Sequence, residues 1–182
     1  IYDDFLEISL DEFKKDSNIK IVGNIPYGIT GPIIFKILEE RKGVDGVYLT
    51  VQKEIAQRIL SNPFRRTYGS LSVVCQILSD VRIHFYIKSS VFLPPPKVDS
   101  ALISLIFKND MPDIDSEFFD FTSSCFQNKR KLLKYTLNRN YGDKVVEAIY
   151  GLMNFPPSIR AEEIAPDRYR EMYRIFKEVV SG

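Results

Sequence analysis

Four consecutive residues, Asn24, Ile25, Pro26 and Tyr27, carry groups that suit chemistry on an aminated ring. They follow a short apolar run that predicts a β-strand, and open α/β sheets bind ligands outside the carboxyl ends of their strands. The exocyclic amine of adenine is a poor nucleophile, because its lone pair is delocalised into the ring. Oxygen atoms that accept hydrogen bonds from its two N–H groups favour a more tetrahedral nitrogen. The Asn24 carboxamide and a backbone carbonyl of Ile25 or Pro26 can do this, and Tyr27 can stack on the base. A simple strand-end turn explains the same four residues equally well, since Asn and Pro are common in turns.

A second segment, 92–100, reads Phe-Leu-Pro-Pro-Pro-Lys-Val-Asp-Ser and follows another predicted strand. Its three consecutive prolines predict an extended loop. We expect this loop at the same end of the sheet, where Phe92 can close the other side of a base pocket. Taken alone, the segment favours a stiff edge loop. Together with the Asn24 turn, about 65 residues earlier, it favours a pocket for an aminated base.

Hydrophobic spacing predicts the elements that position these residues. Strands are predicted at 18–23, 44–51, 81–87 and 101–107, and helices at 30–42, 52–60 and 71–78. This alternation indicates an α/β sheet, whose last two strands pair antiparallel at one edge because no helix separates them. After residue 112 the pattern predicts amphipathic helices at 118–137, 143–153 and 167–180. We therefore predict two domains, a sheet domain over 1–110 and a small all-helical domain over 111–182.

Two groups of basic residues are candidates for binding an anion. The first lies on a predicted helix and the loop after it, and the second on a predicted helix of the later domain. Between residues 121 and 141 there are five basic residues and no acidic one, although the net charge of the chain is only +1. For each group a solvated surface is the alternative to a phosphate contact. The candidates are Lys53, Arg58, Arg65 and Arg66 in the first group and Lys129, Arg130, Lys131 and Lys134 in the second.

Composition narrows the class of protein. Hydrophobic residues make up 45% and charged residues 27% of the 182 residues, and no apolar run reaches the roughly 18 residues that a membrane span needs. Cys75 and Cys125 lie in predicted helices, where we expect reduced thiols in a cytoplasmic protein. One histidine, His84, and two distant cysteines predict no metal site. The chain begins at Ile1 with no export leader, and its first residues are typical of the end of a strand, so we expect other residues before it.

Taken together, these motifs resemble those of the small-subunit ribosomal RNA adenine dimethyltransferases. The similarity covers nearly every residue, and its combination of motifs is highly specific. The segments that carry it are 24–27 (Asn-Ile-Pro-Tyr), 52–58 (Gln-Lys-Glu-Ile-Ala-Gln-Arg), 68–73 (Tyr-Gly-Ser-Leu-Ser-Val), 92–100, 128–133 (Asn-Lys-Arg-Lys-Leu-Leu) and 160–162 (Arg-Ala-Glu).

The resemblance implies the C-terminal part of a Rossmann-like methyltransferase sheet, followed by a helical domain. It implies that S-adenosylmethionine is the methyl donor and that two adjacent adenosines near the 3′ end of the small-subunit RNA are dimethylated. Asn24 and the backbone of Ile25 and Pro26 would hold the target amine, and Tyr27 and Phe92 would sandwich the base. Asp4, or Asp3 beside it, would contact the adenine of the donor, which Asn24 also borders.

The resemblance also implies that the basic residues, together with Lys97, contact RNA. The implied partner is the small-subunit rRNA in a pre-30S particle, bound by a monomer with no membrane and no metal.

The main departure is the lack of a glycine-rich loop, since no G-x-G occurs in the chain. We therefore expect the 182 residues alone to be inactive. A smaller departure is Gly28, where the family often has Asn or Tyr. The alternatives are a large-subunit rRNA adenine methylase that confers macrolide resistance, or a non-catalytic RNA-binding assembly factor. The segments 52–73 and 160–162 favour the small-subunit enzyme.

Overall fold

A computed structural model describes residues 3–14, 17–108, 114–128 and 131–181. The chain forms two compact units, one of Ile1–Leu60 with Leu78–Asp113 and another of Ser61–Ile77 with Ile114–Gly182. Within the described ranges, no helix is long and apolar enough to cross a membrane.

The first unit is built on a four-stranded sheet. Its strands are β1 (Ile19–Asn24), β2 (Val44–Gln52), β3 (Ser79–Ile87) and β4 (Ser100–Phe107), in the order β1-β2-β4-β3. β1 and β2 are parallel, whereas β4 runs antiparallel to both β2 and β3. The predicted α/β sheet and its antiparallel edge are therefore confirmed.

Two helices, α1 (Thr30–Glu39) and α2 (Lys53–Ile59), connect the strands of this unit. Three-residue or four-residue 3-10 helices lie at Leu10–Phe13, Tyr27–Ile29 and Ser89–Val91. In α1 the buried residues include Ile33, Ile34 and Ile37, whose spacing places them on one face. In β2, Val47, Leu49 and Val51 alternate with half-buried residues and are almost fully buried. Burial of these apolar stripes accounts for the core of the first unit.

The second unit is helical. It contains α3 (Ser70–Leu78, of which Leu78 belongs to the first unit), α4 (Ser116–Cys125), α5 (Leu133–Tyr141), α6 (Asp143–Met153), a 3-10 helix at Ala161–Glu163, and α7 (Pro166–Ser181). Its core is rich in aromatic rings. Phe121 stacks on Phe176 with ring centroids 5.0 Å apart, and Phe126 stacks on Tyr169 at 5.6 Å. Each such pair contributes about 0.5–1.5 kcal/mol of stability beyond that expected from the apolar area it buries.

The prediction of one helix over 118–137 is wrong, because α4 ends at Cys125 and α5 begins at Leu133. A turn follows α4, in which the Gln127 amide donates to the Ser124 carbonyl oxygen at 3.1 Å. Leu132 has an extended backbone, and the Leu133 amide donates to the Ile159 carbonyl oxygen at 3.0 Å. A contact distant in sequence thus interrupts a pattern that is locally compatible with a continuous helix.

The compact units also differ from the predicted domain division in one segment, 61–77, which packs with the later helices. The Phe64 amide donates to the Glu162 carbonyl oxygen at 2.8 Å, and the Tyr68 hydroxyl donates to the Ile164 carbonyl oxygen at the same distance. The Tyr68 ring also meets Phe126 edge to face. The division at residue 110 remains a prediction, whereas the packing of this segment is an observation that the local pattern did not reveal.

Cys75 and Cys125 are both buried and form no disulfide, so the prediction of reduced thiols is confirmed. Burial raises the pKa of the Cys125 thiol to about 12, and it raises that of Cys75 as well. Both groups therefore behave as small apolar side chains at neutral pH.

The buried hydroxyl of Tyr68 gives a test of this packing. Tyr68→Phe keeps the ring but leaves the Ile164 carbonyl oxygen without its donor, so we expect the free energy of unfolding to fall by about 1–2 kcal/mol. Tyr86→Phe is the control, because Tyr86 is half exposed and lies at the sheet surface. Urea denaturation of both variants measures the difference. Equal stability of the two variants would contradict the assigned role of the hydroxyl.

Candidate functional site

The Asn24 segment lies where the sheet ends. Asn24 is the last residue of β1, and the Ile25 amide donates to the Thr50 carbonyl oxygen of β2 at 3.5 Å. A 3-10 turn beginning at Tyr27 then leads into α1. The Thr30 hydroxyl donates to the carbonyl oxygens of Pro26 and Tyr27, both at 3.3 Å, and so stiffens the turn. The structure therefore places these residues at the carboxyl end of a strand.

A cavity of about 310 Å³ joins the two predicted segments. One wall is the turn after β1, and the other is the proline-rich loop between β3 and β4. Leu93 and Pro94 in that loop are joined by a cis peptide bond. The lining residues are Asn24, Ile25, Pro26, Tyr27, Phe92, Leu93, Pro94 and Pro96. All five residues predicted to hold the target base thus surround one space, and their catalytic role stays a prediction.

Two residues at the start of β4 hold the walls of this cavity. The hydroxyls of Tyr27 and the fully buried Ser100 share a hydrogen bond of 2.5 Å. The Asp99 carboxylate accepts from the Ser89 amide at 3.1 Å, and its carbonyl oxygen accepts from the Lys53 amide at 3.0 Å. Sequence reasoning quoted Asp99 and Ser100 only as part of a motif. Two polar residues directly after a proline-rich loop were the signal for this anchoring role.

Two hydrogen-bond acceptors belong to residues of the turn that line the cavity. Among the described residues, the exposed Asn24 carboxamide has no hydrogen-bond partner, and no donor reaches the Ile25 carbonyl oxygen. The Pro26 carbonyl oxygen, in contrast, already accepts from the Ile29 amide and the Thr30 hydroxyl. Of the two carbonyls left open by the sequence, Ile25 is thus the better acceptor for an added N–H group.

Asp4 does not line the cavity. It is exposed, and its Oδ1 accepts from the Leu6 amide at 2.9 Å. Asp3 Oδ1 accepts from the Asp4 amide at 2.9 Å, and Asp3 borders a separate cavity of about 500 Å³ beside β1. Neither aspartate lines the cavity that Asn24 lines, and their role in cofactor binding stays a prediction.

The predicted RNA-binding residues of the first unit differ in their surroundings. Lys97 is exposed in the proline-rich loop but does not line the cavity. The Lys53 ammonium lies 5.2 Å from the centre of the Tyr86 ring, which is within cation–π range. Arg58 forms an ion pair of 3.0 Å with Glu54, one helical turn earlier. That pair gives Arg58 a structural role that the sequence interpretation did not include.

In the second unit Arg65, Arg66 and Lys131 are exposed. Lys131 precedes α5 and Lys134 lies in its first turn, so the prediction that both lie within one helix is wrong for Lys131. Lys129 and Arg130 lie outside the described residues. The Lys134 ammonium is 5.4 Å from the centre of the neighbouring Tyr135 ring. Sequence reasoning missed this exposed tyrosine.

In the described part of the chain, no group of three or more His, Cys, Asp or Glu side chains is placed to hold a metal ion. His84 Nε2 instead shares a hydrogen bond of 2.9 Å with the Ser104 hydroxyl.

The sequence matches the family model described as ribosomal RNA adenine dimethylase over residues 1–180. A ribosomal RNA small subunit methyltransferase A from Mycoplasmopsis synoviae is 42% identical, over 88% of this chain and 62% of its own. One from Chlorobium phaeobacteroides is 35% identical, over 94% of this chain and 63% of its own. The chain therefore spans less than two thirds of the length of these relatives.

Two solved structures share the fold. A dimethyladenosine transferase from Plasmodium falciparum superposes with a TM-score of 0.71 at 26% identity, covering 88% of this chain and 67% of that one. The 23S rRNA methyltransferase ErmE superposes with a TM-score of 0.62 at 22% identity, covering 96% and 70%. These similarities confirm the Rossmann-like fold with a helical C-terminal part.

Stability measurements can separate a functional Asn24 from a structural one. Because its side chain is exposed and unpaired in the described structure, we expect Asn24→Ala to change the free energy of unfolding by less than about 0.5 kcal/mol. Ser100→Ala removes the buried partner of Tyr27 and should cost about 1 kcal/mol. If Asn24→Ala instead destabilises as much as Ser100→Ala in urea denaturation, the strand-end turn is the better interpretation.

Proposed function

Because the chain belongs to the ribosomal RNA adenine dimethylase family, we propose that the protein containing it dimethylates the exocyclic amines of two adjacent adenosines near the 3′ end of small-subunit rRNA. S-adenosylmethionine is the proposed methyl donor. The observation that supports this most strongly is the single cavity that Asn24, Ile25, Pro26, Tyr27 and Phe92 line together.

The acceptors at this cavity match the needs of an adenine amine. The amine has two N–H groups, and the turn offers two oxygens, those of the Asn24 carboxamide and the Ile25 carbonyl. Two such bonds hold the nitrogen with its lone pair directed away from them, towards the incoming methyl group. The proton leaves after the nitrogen has become cationic, so a strong general base is not required. Positioning and electrostatics then supply the rate.

Tyr27 and Phe92 are proposed to hold the base between them. Each stacked aromatic ring contributes about 1–3 kcal/mol to the binding of a base. The bond from Tyr27 to buried Ser100 fixes one ring, and the prolines after Phe92 stiffen the other wall. A base held between two rigid walls loses translational and rotational entropy when it binds. Less entropy then remains to be lost on the way to the transition state, which favours turnover.

The residues present fit part of the cofactor. When bound, S-adenosylmethionine supplies a methyl group on a positively charged sulfur. Asp4 is exposed, and its Oδ2 accepts from no donor among the described residues, so it can take a hydrogen bond from the donor's adenine amine. The chain offers no glycine-rich loop for the rest of that molecule, and we propose that the 182 residues alone are inactive.

The basic residues are proposed to bind the RNA backbone, in a monomeric cytoplasmic protein that acts on a pre-30S particle. Lys53, Lys97, Arg65 and Arg66 form no ion pair in the part of the chain that the structure describes, so they are available to phosphates. Lys131 and Lys134 likewise form no ion pair among the described residues, whereas Arg58 is already paired with Glu54.

A large-subunit rRNA methylase is the alternative enzyme. The similarity to ErmE, at 22% identity, supports a shared fold, whereas the relatives at 35–42% identity are named for the small subunit. A non-catalytic assembly factor is disfavoured by the two open acceptors beside Tyr27.

Mass mapping of methylated rRNA tests the function. The complete gene product that carries this sequence should dimethylate two adjacent adenosines of small-subunit RNA. Asn24→Ala should lower turnover by about 100-fold or more, with much less change in RNA affinity, because the carboxamide acts on the amine as it attacks. Asn140→Ala, an exposed asparagine on α5, is the control. Methylation of large-subunit RNA alone, or normal turnover with weak RNA binding in Asn24→Ala, would refute the assignment.

Salt dependence tests the phosphate contacts. Substituting Lys129, Arg130, Lys131 and Lys134 together with Gln or Ala should weaken RNA binding and reduce the slope of log affinity against log salt by roughly 0.7–0.9 for each lost contact. Turnover at saturating RNA should change little. The control pair is Lys20→Gln with Lys42→Gln, two exposed lysines of the first unit. An unchanged slope in the quadruple variant, with its circular dichroism intact, would indicate a solvated surface.

A further inference from the structure

Phe64 is costly to the folded protein in two ways. Its side chain is 74% exposed, and its backbone has φ = 66°, in the left-handed region. A bulky residue rarely adopts positive φ, and such strain persists only where the surroundings enforce it. Because the ring is mostly exposed, its burial offsets little of this strain.

The surroundings of Phe64 enforce this conformation. Asn62, Pro63, Phe64 and Arg65 form a turn with proline at its second position, and the Arg65 amide donates to the Asn62 carbonyl oxygen at 3.3 Å. Positive φ at the third position is typical of a type II turn, which favours glycine or asparagine there. The Phe64 amide donates to the Glu162 carbonyl oxygen at 2.8 Å. The ring is therefore held outward by a fixed backbone.

The base of this loop is equally well anchored. Tyr68 is almost fully buried and its hydroxyl donates to the Ile164 carbonyl oxygen at 2.8 Å. The Ser61 and Thr67 hydroxyls share a hydrogen bond of 2.7 Å across the two ends of the loop. A loop tip with these constraints is a rigid support, so its backbone loses little conformational entropy when the exposed ring makes a contact.

The charges beside Phe64 indicate an anionic partner. Arg65 and Arg66 follow it directly, both are exposed, and neither forms an ion pair within the described ranges. Glu162, whose carbonyl oxygen accepts from the Phe64 amide, has its carboxylate 4.0 Å from Arg160. An exposed aromatic ring next to two arginines is the combination that binds single-stranded nucleic acid, since bases stack and phosphates pair with the cations.

We propose that Phe64 stacks on an unpaired base of the RNA substrate while Arg65 and Arg66 contact the phosphates beside it. This rests on the proposed function and adds a second base contact, distinct from the cavity that holds the target adenine. The backbone strain at Phe64 is the cost of presenting the ring at the tip of an anchored turn.

Replacing Phe64 with glycine separates the backbone strain of this residue from its proposed role in RNA binding. In the complete gene product, Phe64→Gly relieves positive φ and should raise the thermal midpoint by about 2–4 °C. It should also weaken binding of a 3′-terminal small-subunit rRNA fragment by about 5- to 100-fold, the loss of one stacked base. Phe64→Tyr should bind like the wild type. Leu152→Ala, which removes another exposed apolar side chain from the second unit, is the control.

The salt slope distinguishes stacking from charge. Phe64→Gly should lower the affinity without changing the slope, whereas Arg65→Gln with Arg66→Gln should reduce it. RNA binding by Phe64→Gly as tight as by the wild type would overturn the proposal.

The chain has no tryptophan, so Phe64→Trp gives a fluorophore at this position alone. Saturating RNA should quench its emission and protect it from acrylamide. Unaltered emission at saturation would overturn the proposal. If the wild type itself neither binds nor methylates this RNA, the proposed function has failed. If it does both and only the Phe64 readouts are unaffected, the failure is confined to Phe64.

Discussion

The direction of β4 is the constraint on which the candidate site depends. Because β4 runs antiparallel between β2 and β3, its first residue lies beside the last residues of β2 and β3. Ser100 therefore reaches the turn after β1, where its buried hydroxyl meets Tyr27, and Asp99 holds both the Ser89 and the Lys53 amides. If β4 were parallel to β2, its first residues would lie at the other end of the strands, away from the turn after β1. The proline-rich loop that leads into β4 would then not end beside Asn24.

In the second unit, buried tyrosines donate hydrogen bonds to backbone carbonyl groups outside the α-helices. Its irregular segments carry carbonyl groups that need donors once they are removed from water. Tyr68 donates to the Ile164 carbonyl oxygen, and Tyr169 donates to that of Ala161 at 2.6 Å. Burial raises the pKa of Tyr169 well above its ordinary value, so its hydroxyl keeps the proton that this bond needs. Two tyrosines of the aromatic core thus supply donors to the 3-10 helix at Ala161–Glu163 and to the residue that follows it.

Local periodicity was sufficient for most of the sheet unit. Alternating apolar residues in β2, the apolar run of β4 and the buried stripe of α1 led directly to the observed elements. The same reasoning failed where distant contacts decide the conformation. The spacing over 118–137 suits one helix, yet the Leu133 amide pairs with the distant Ile159 carbonyl oxygen and a turn intervenes. Likewise, Val180 fits the apolar face of α7 by spacing but is 58% exposed. The cavity could be anticipated from its motifs, whereas the anchoring roles of Asp99 and Ser100 required coordinates.

Some side chains have partners in the folded chain that explain their polarity, whereas others are left unpaired or strained. The second kind are candidates for a role in binding a substrate. Ser100, Tyr68 and Tyr169 each have a partner that explains their polarity. Asn24 is polar with no described partner, and Phe64 is apolar, exposed and at positive φ. Neither side chain contributes to the stability of the fold in a way that its contacts can explain. Both stand on well-anchored turns, so their positions are determined although their side chains are not used. A rigid support for an unused side chain is the arrangement expected of a group that meets its partner only when a substrate binds.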